Sequence, residues 1–241
     1  MSISTPKAIQ VVSDDEIKVL GFDNNRLQRV REKIINDIEL GSCHGVSMIA
    51  ARKGKVVLDI VEGYAHKENG EMLTSDSVFV TMSVAKQFTN VLALSLVEKG
   101  LLKLHAPVAE LIPEFATLGK EKVNLYHLLT HTSGIMSAVP PVAPEILANI
   151  EKLLDFACGL PLENQPGERV NYAILLGHSI IAALCLRAAG NGRSYAQMLS
   201  DEIFQPLGMT NTSLGPRDDL MGRVCPVKVS YKDIPALLPP E

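Results

Sequence analysis

Apolar residues at Leu27, Val30, Ile34 and Ile38 recur at helical spacing with charged residues between them, which predicts an amphipathic helix. Asp23 and Asn24 stand just upstream as caps, and Gly41 marks its end. The spacing then shortens. Val46-Ser-Met-Ile-Ala-Ala51 and Val56-Val-Leu-Asp-Ile-Val61 are two short apolar runs on either side of Arg52-Lys-Gly-Lys55, so a β-hairpin turning near Gly54 is predicted. Gly63-Tyr-Ala-His66 continues toward a third extended piece. After Ser77 the pattern changes again. Val84 to Lys99 is rich in Ala, Leu and Val, holds no Gly or Pro, and stops at Gly100, which predicts a buried helix. From Leu101 to about residue 215 the chain reads as mostly helical, divided by prolines at Pro107, Pro113, Pro140, Pro141, Pro161, Pro166 and Pro206. Leu175 to Ala188 is a second strongly apolar helix, and Ser194 to Phe204 an amphipathic one. Strands first and helices afterwards predict an α+β fold with an antiparallel sheet. A two-stranded hairpin is marginal alone, yet residues 216–241 offer no obvious further strands.

Composition narrows the function classes. The 241 residues suit one or two domains; residues 1–22 are mixed and read as an N-terminal arm, and 23–241 as the domain. Lys plus Arg number 23 against 27 Asp plus Glu, a net charge of −4, which argues against a nucleic-acid partner. No apolar run is long enough to span a membrane. The first residues, from Met1 to Glu16, contain no apolar leader stretch, so a cytoplasmic location is expected. Cys43, Cys158, Cys185 and Cys225 lie far apart with no CxxC pairing, which predicts reduced thiols, two or three of them buried, and neither a metal site nor a disulfide framework. Aromatic residues make up 5% and Trp is absent, so the core must be built mainly from Leu, Ile, Val, Ala and Met.

Ser83-Val-Ala-Lys86 is the first string that could carry chemistry. Positions three apart at a helix start share a face, so hydroxyl and ammonium meet. Serine alone is a weak nucleophile; an adjacent amine that can give up its proton activates it, and a helix N-terminus favours a developing oxyanion. An SxxK string by itself is common. Here it sits where the extended Val78-Phe-Val-Thr81 gives way to the apolar helix, and Asp76 to Leu102 as a whole resembles the active-site helix of the serine β-lactamase/penicillin-binding-protein superfamily, in particular its class C β-lactamase and esterase/transacylase branch. Further segments match in order. Pro107-Val-Ala-Glu-Leu-Ile-Pro-Glu-Phe115 is similar to the family's PV..ylPeF segment, and Tyr126-His-Leu-Leu-Thr-His-Thr-Ser-Gly134 to its LLtHTSG signature. Gln165-Pro-Gly-Glu-Arg-Val-Asn-Tyr172 resembles the approach to the family's catalytic tyrosine, and Pro206-Leu-Gly-Met-Thr-Asn-Thr212 its PLGM.dT segment.

The resemblance implies catalytic roles for Ser83, Lys86 and Tyr172: nucleophile, proton partner, and a tyrosine that passes the proton to the leaving group. A free tyrosine ionises near ~10, and a neighbouring lysine favours the phenolate, so the pair can act as base and then acid. It also implies a β-lactamase/transpeptidase-like fold, no metal or cofactor, and a small-molecule ester or acyl substrate. Two departures shape the expected activity. Penicillin-recognising branches carry Asn two residues after the tyrosine, where Ile174 stands here. No KTG-like or HxG-like triplet follows Tyr172, and the family's last strands are unaccounted for. The expected activity is therefore serine esterase or amidase chemistry, then acyltransfer, then β-lactam hydrolysis; a non-catalytic binding or assembly module is the reading from another class. The sheet is expected to be only partly encoded, as in a fragment, a truncated sequence or one piece of a two-chain assembly, with a second chain or segment completing it.

The remaining candidates carry blander expectations. His131 and Ser133 read as structural, His178 as an ordinary helix residue or one facing the acyl pocket, and His44 as a surface residue. Met82 reads as core packing before substrate contact. Glu168 and Arg169 read as a local pair. Val139 to Pro144 reads either as a surface loop or as the rim of the cleft.

Overall fold

A computed structural model of the protein describes residues 10–228. It divides into two compact units: one runs up to Val80 and resumes at Asp218, and the other is the continuous stretch Thr81–Arg217.

The first unit opens with helix α1 (Asp14–Val19). The Ser13 hydroxyl accepts the Glu16 N–H, and Asp14, Asp15 and Glu16 place negative charge at the helix N-terminus, where the peptide dipoles favour it. Ile17 and Leu20 are buried in a cluster with Val57. The segment read as an arm thus carries a docked helix from residue 14 onward; residues 1–9 lie outside the described ones. Helix α2 (Asn24–Glu39) is capped by the Asp23 carboxylate, which accepts the Arg26 N–H at 3.0 Å. Strands β1 (Gly45–Arg52) and β2 (Lys55–His66) form the expected antiparallel hairpin. Lys53 and Gly54 both adopt positive φ (52° and 75°), the two-residue turn whose twist suits paired strands. Arg31 of α2 reaches β2 through the Glu62 carboxylate and the Asp59 carbonyl. Strand β3 (Glu71–Met72) adds to the far end of β2, giving the sheet order β1-β2-β3. Among the described residues β1 pairs only with β2, so its outer edge is free.

The second unit is helical. A 3-10 turn (Met82–Ala85) leads into α3 (Lys86–Glu98), whose Thr89, Leu92, Ala93 and Leu96 are buried and which ends before Gly100, as expected. Residues 101–124 are not helical in the α sense. Pro107 and Pro113 break them into 3-10 turns at Val108–Glu110 and Pro113–Phe115, whose Val108, Ile112 and Phe115 still enter the core. Helix α4 (Leu125–Leu129) starts with a reciprocal cap between Asn124 and His127. Helices α5 (Pro144–Leu147) and α6 (Ile150–Cys158) follow. Lys120 is fully buried; its ammonium donates to the Cys158 and Leu160 carbonyls at 3.1 and 2.5 Å, satisfying the C-terminal end of α6. Helix α7 (Leu176–Ala189) is buried on nearly all sides and packs against α3 and α6. Helix α8 (Tyr195–Leu199) runs into a π turn (Ser200–Phe204), so the expected amphipathic helix is present but changes its winding halfway.

The chain then returns to the first unit through α9 (Asp218–Met221). Val78 N–H donates to the Arg223 carbonyl and Cys225 N–H to the Val78 carbonyl, both at 2.8 Å. The described part of the tail contributes this short pairing and an ion pair between Lys228 and Glu68 at 3.1 Å; residues 229–241 lie outside it. The architecture is the α+β one expected. All four cysteines are free thiols, with Cys185 and Cys225 buried.

Candidate active site

The turn that opens α3 determines how Ser83 is presented. Met82 adopts φ 47°, unusual for a residue with a side chain. Contrary to the core role expected for it, Met82 is 70% exposed. It precedes α3 and so lies off the face that buries Leu92 and Leu96. Ser83 is exposed in the 3-10 turn, and Lys86 begins the α-helix, half-buried. The Lys86 ammonium donates to Ser83 Oγ at 3.3 Å. The Tyr172 hydroxyl donates to the same oxygen at 3.0 Å. Lys86 Nζ also lies 5.4 Å from the centroid of the Tyr172 ring. The three residues nominated by the sequence therefore converge on one hydroxyl. The hydrogen bond with Ser83, then that with Lys86, holds the Tyr172 phenol below the usual tyrosine range.

Tyr172 is far from Ser83 in the chain, and the HTSG string brings it there. Residues 131–134 form a bed on which the segment before the tyrosine lies. Glu163 N–H donates to the Gly134 carbonyl at 2.8 Å, Gly167 N–H to Thr132 at 2.7 Å, and Asn171 N–H to His131 at 2.7 Å. Gly134 has φ 75°, and a Cβ there would meet the Asn164 carbonyl oxygen at 2.0 Å. Only glycine permits that approach. Ser133 is buried and its hydroxyl accepts the Ile135 N–H. The His131 ring stands edge-on to the Tyr172 ring, centroids 4.8 Å apart. Both residues thus shape the bed, in keeping with the structural role expected of them.

His178, the third residue of α7, is 8% exposed. Its Nε2 lies 3.0 Å from Asn90 Oδ1 on α3 and its ring 5.6 Å from that of His131. Burial, reinforced by Lys86 and then His131, pushes its pKa down to about 4. His131 is also lowered, by burial and then by Lys86. Both imidazoles are neutral at pH 7. The sequence offered no signal for the Asn90–His178 pairing, because it joins two helices far apart in the chain. Elsewhere, His44 is half-buried where a surface residue was expected. Glu168 and Arg169 pair locally at 3.8 Å. Ile174 is 60% exposed at the position where the resemblance would place an amide. Among the described residues, no group of His, Cys, Asp or Glu is arranged to hold a metal ion.

Residues 30–227 match the sequence profile of a protein family described as Beta-lactamase. Penicillin-binding protein 4 of Amycolatopsis lactamdurans is 30% identical over 169 residues, covering 69% of this chain and 44% of that protein. Esterase EstB of Burkholderia gladioli is 31% identical over 182 residues, covering 68% of this chain and 45% of that protein. The crystal structure of a family VIII carboxylesterase superposes with a TM-score of 0.74 at 26% identity, over 83% of this chain and 54% of that one. The chain spans less than half the length of these two curated relatives.

Proposed function

The chain belongs to the Beta-lactamase family, and from that premise we propose that it is a serine hydrolase acting on ester carbonyls, and secondarily amides, through a covalent acyl-enzyme. The observation that carries this reading is the convergence of Lys86 Nζ and Tyr172 OH on Ser83 Oγ. Once Tyr172 ionises, its bond to Ser83 reverses and the phenolate accepts the serine proton. Ser83 Oγ then attacks the substrate carbonyl, and the oxyanion forms at the N-terminal end of the α3 turn, where backbone N–H groups and the helix dipole favour it. Tyr172 returns its proton to the departing alkoxide as the tetrahedral intermediate collapses. In the second half, Tyr172 takes a proton from water, the hydroxide oxygen attacks the acyl carbon, and the proton passes back to Ser83 as the acid leaves. Lys86 stays beside both oxygens and stabilises whichever is anionic.

Ester substrates take precedence because Ile174 presents an apolar side chain where an amide would recognise a β-lactam substituent, and because relatives named as esterases are among those matched. Transfer to an alcohol or amine is the second reading. It draws support from the exposed apolar side chains flanking the site, Met82, Val170 and Ile174, which suit an acceptor less polar than water. β-Lactam hydrolysis is the third. The free edge of β1, with Ile49 51% exposed, supports a further proposal, that a second chain or segment completes the sheet. A cytoplasmic location is part of the same proposal, supported by four free thiols that suit a reducing compartment. No described helix is long and apolar enough to cross a membrane.

The test is intact mass after exposure to a fluorophosphonate. One adduct is expected on the wild-type chain, none on Ser83→Ala, and labelling slowed about 100-fold or more on Tyr172→Phe. A panel of p-nitrophenyl esters, acceptor alcohols and a β-lactam then ranks the three activities. A well-folded wild-type chain that takes no adduct would overturn the catalytic reading in favour of a binding or assembly role.

A further inference from the structure

The acyl-transfer chemistry makes no use of His178, yet an imidazole in that place is costly. Its Nε2 faces the Asn90 oxygen, so Nε2 carries the hydrogen and Nδ1 is left as an acceptor. That Nδ1 is buried and has no hydrogen-bond partner among the described residues. A buried unpaired acceptor destabilises a fold, and a leucine would fill the same space without one. Packing alone therefore does not account for the residue.

Its contacts do. Asn90 lies four residues after Lys86 on α3, so it occupies the same face one turn further on. From Asn90 the contacts run to His178, from His178 to the His131 ring, and from His131 edge-on to the Tyr172 ring. The Tyr172 hydroxyl then returns to Ser83, at the head of the same helix. The circuit closes at the start of α3: Ser83 stands in the turn that leads into it and Asn90, which anchors His178, one turn inside it. Tyr172 is held at two points, its hydroxyl by Ser83 and its ring by His131. The His131 ring is in turn packed beside the His178 ring, centroids 5.6 Å apart. Because neither imidazole is charged, the pair braces the phenol without competing with Lys86 for the phenolate.

We propose that His178, docked on Asn90, is a positioning residue that acts through His131 to hold the Tyr172 phenol against Ser83 and Lys86. This rests on the serine-hydrolase reading of the same site, but it is tested without needing that reading. The ionisation of Tyr172 is followed on the full chain by ultraviolet difference titration, with Tyr172→Phe as the blank. His178→Leu is expected to raise the Tyr172 midpoint toward the ordinary value of ~10. His178→Gln keeps an N–H for Asn90 and is expected to restore most of the wild-type midpoint. Asn90→Leu removes the anchor at a half-buried position and is expected to behave as His178→Leu does, which keeps the test decisive if His178→Leu fails to fold. An unchanged midpoint in His178→Leu, or in Asn90→Leu if the former does not fold, would overturn the proposal. Fluorophosphonate labelling of the same proteins gives a parallel readout, with the bond-forming step expected to slow about 10- to 100-fold and probe affinity to change little. Absence of labelling in the wild type would refute the hydrolase reading alone, since the titration still decides the positioning.

Discussion

In the helical unit, side chains of α3, α4, α6, α7 and α8 form one continuous buried cluster from Leu92 to Phe204. In the sheet unit the corresponding cluster among the described residues is Ile17, Leu20 and Val57, and the sixteen-residue α2 buries none of its side chains. The difference bears on function, because Ser83, Lys86, Tyr172 and the histidines that brace them all belong to the helical unit. Lys86 and His178 stand on the deeply packed α3 and α7, and the exposed Ser83 and Tyr172 are tied to them through the turn before α3 and the bed of residues 131–134, the kind of support that preorganised groups need. In the sheet unit, among the described residues, the outer edge of β1 is unpaired and Ile49 is 51% exposed.

The sharpest way to break this contrast uses one glycine from each unit, both at φ 75°. Gly134→Ala forces a Cβ into the Asn164 carbonyl. A loss of about 4 kcal/mol or more in chemical denaturation is expected, together with loss of labelling as the bed under Tyr172 shifts. Gly54→Ala meets nothing within 4 Å, so only the backbone strain of about 1 kcal/mol is expected. Equal effects would dissolve the distinction. Truncation of the core comes next. Leu92→Ala should cost about 3 kcal/mol in the same assay, whereas Ile35→Ala on the surface of α2 should stay within about 0.5 kcal/mol.

Acid sharpens the comparison further. His178 is held neutral, its folded pKa of about 4 lying below the ordinary 6.5. The unfolded chain therefore binds the extra proton first, so stability falls as pH drops from 6.5 toward 4, by at most on the order of 3 kcal/mol. His127 and His131 are lowered in the same direction, chiefly by burial. In the sheet unit the exposed Glu16 and Glu68 are lowered, Glu16 chiefly through its bond with Lys55 and Glu68 through its own backbone and then Lys228. Their support is present above 4.5 and lost only below it. Thermal melts between pH 7 and 4 should show the helical unit weakening first, with His178→Gln removing part of the slope. The smallest effect is expected from Ile49→Lys on β1. Stability of the chain alone should shift by about 0.5 kcal/mol or less, while any association along that edge, read by sedimentation, should be lost.

Helical spacing of apolar positions made α2 legible, whereas the hairpin, α3 and α7 were legible as apolar runs, the hairpin flanking a charged turn with Gly54 and α3 free of Gly and Pro up to Gly100. The Ser83–Lys86 pairing was legible from its spacing of three at a helix start. Tyr172 was reachable only through the family resemblance, since its approach to Ser83 depends on backbone bonds to residues 131–134 that no local pattern encodes. Helix α1 was missed although Ser13 and Glu16 carry the spacing of a capping box. Lys120 shows the opposite limit. A lysine reads as a surface residue, and nothing in its neighbourhood announces that the carbonyls ending α6 will enclose it.

The return of the chain from Arg217 to the sheet unit sets an order of assembly. Every residue of the helical unit lies in one unbroken stretch, so that unit can fold as soon as its last residue has been made. The pairing of Val78 with Arg223 and Cys225 must wait for synthesis to pass the inserted unit entirely. Once the helical unit has folded between them, these two ends no longer face the entropy of closing a long flexible loop. The helical unit thus shortens the search by which the two separated segments of the sheet unit find each other during folding.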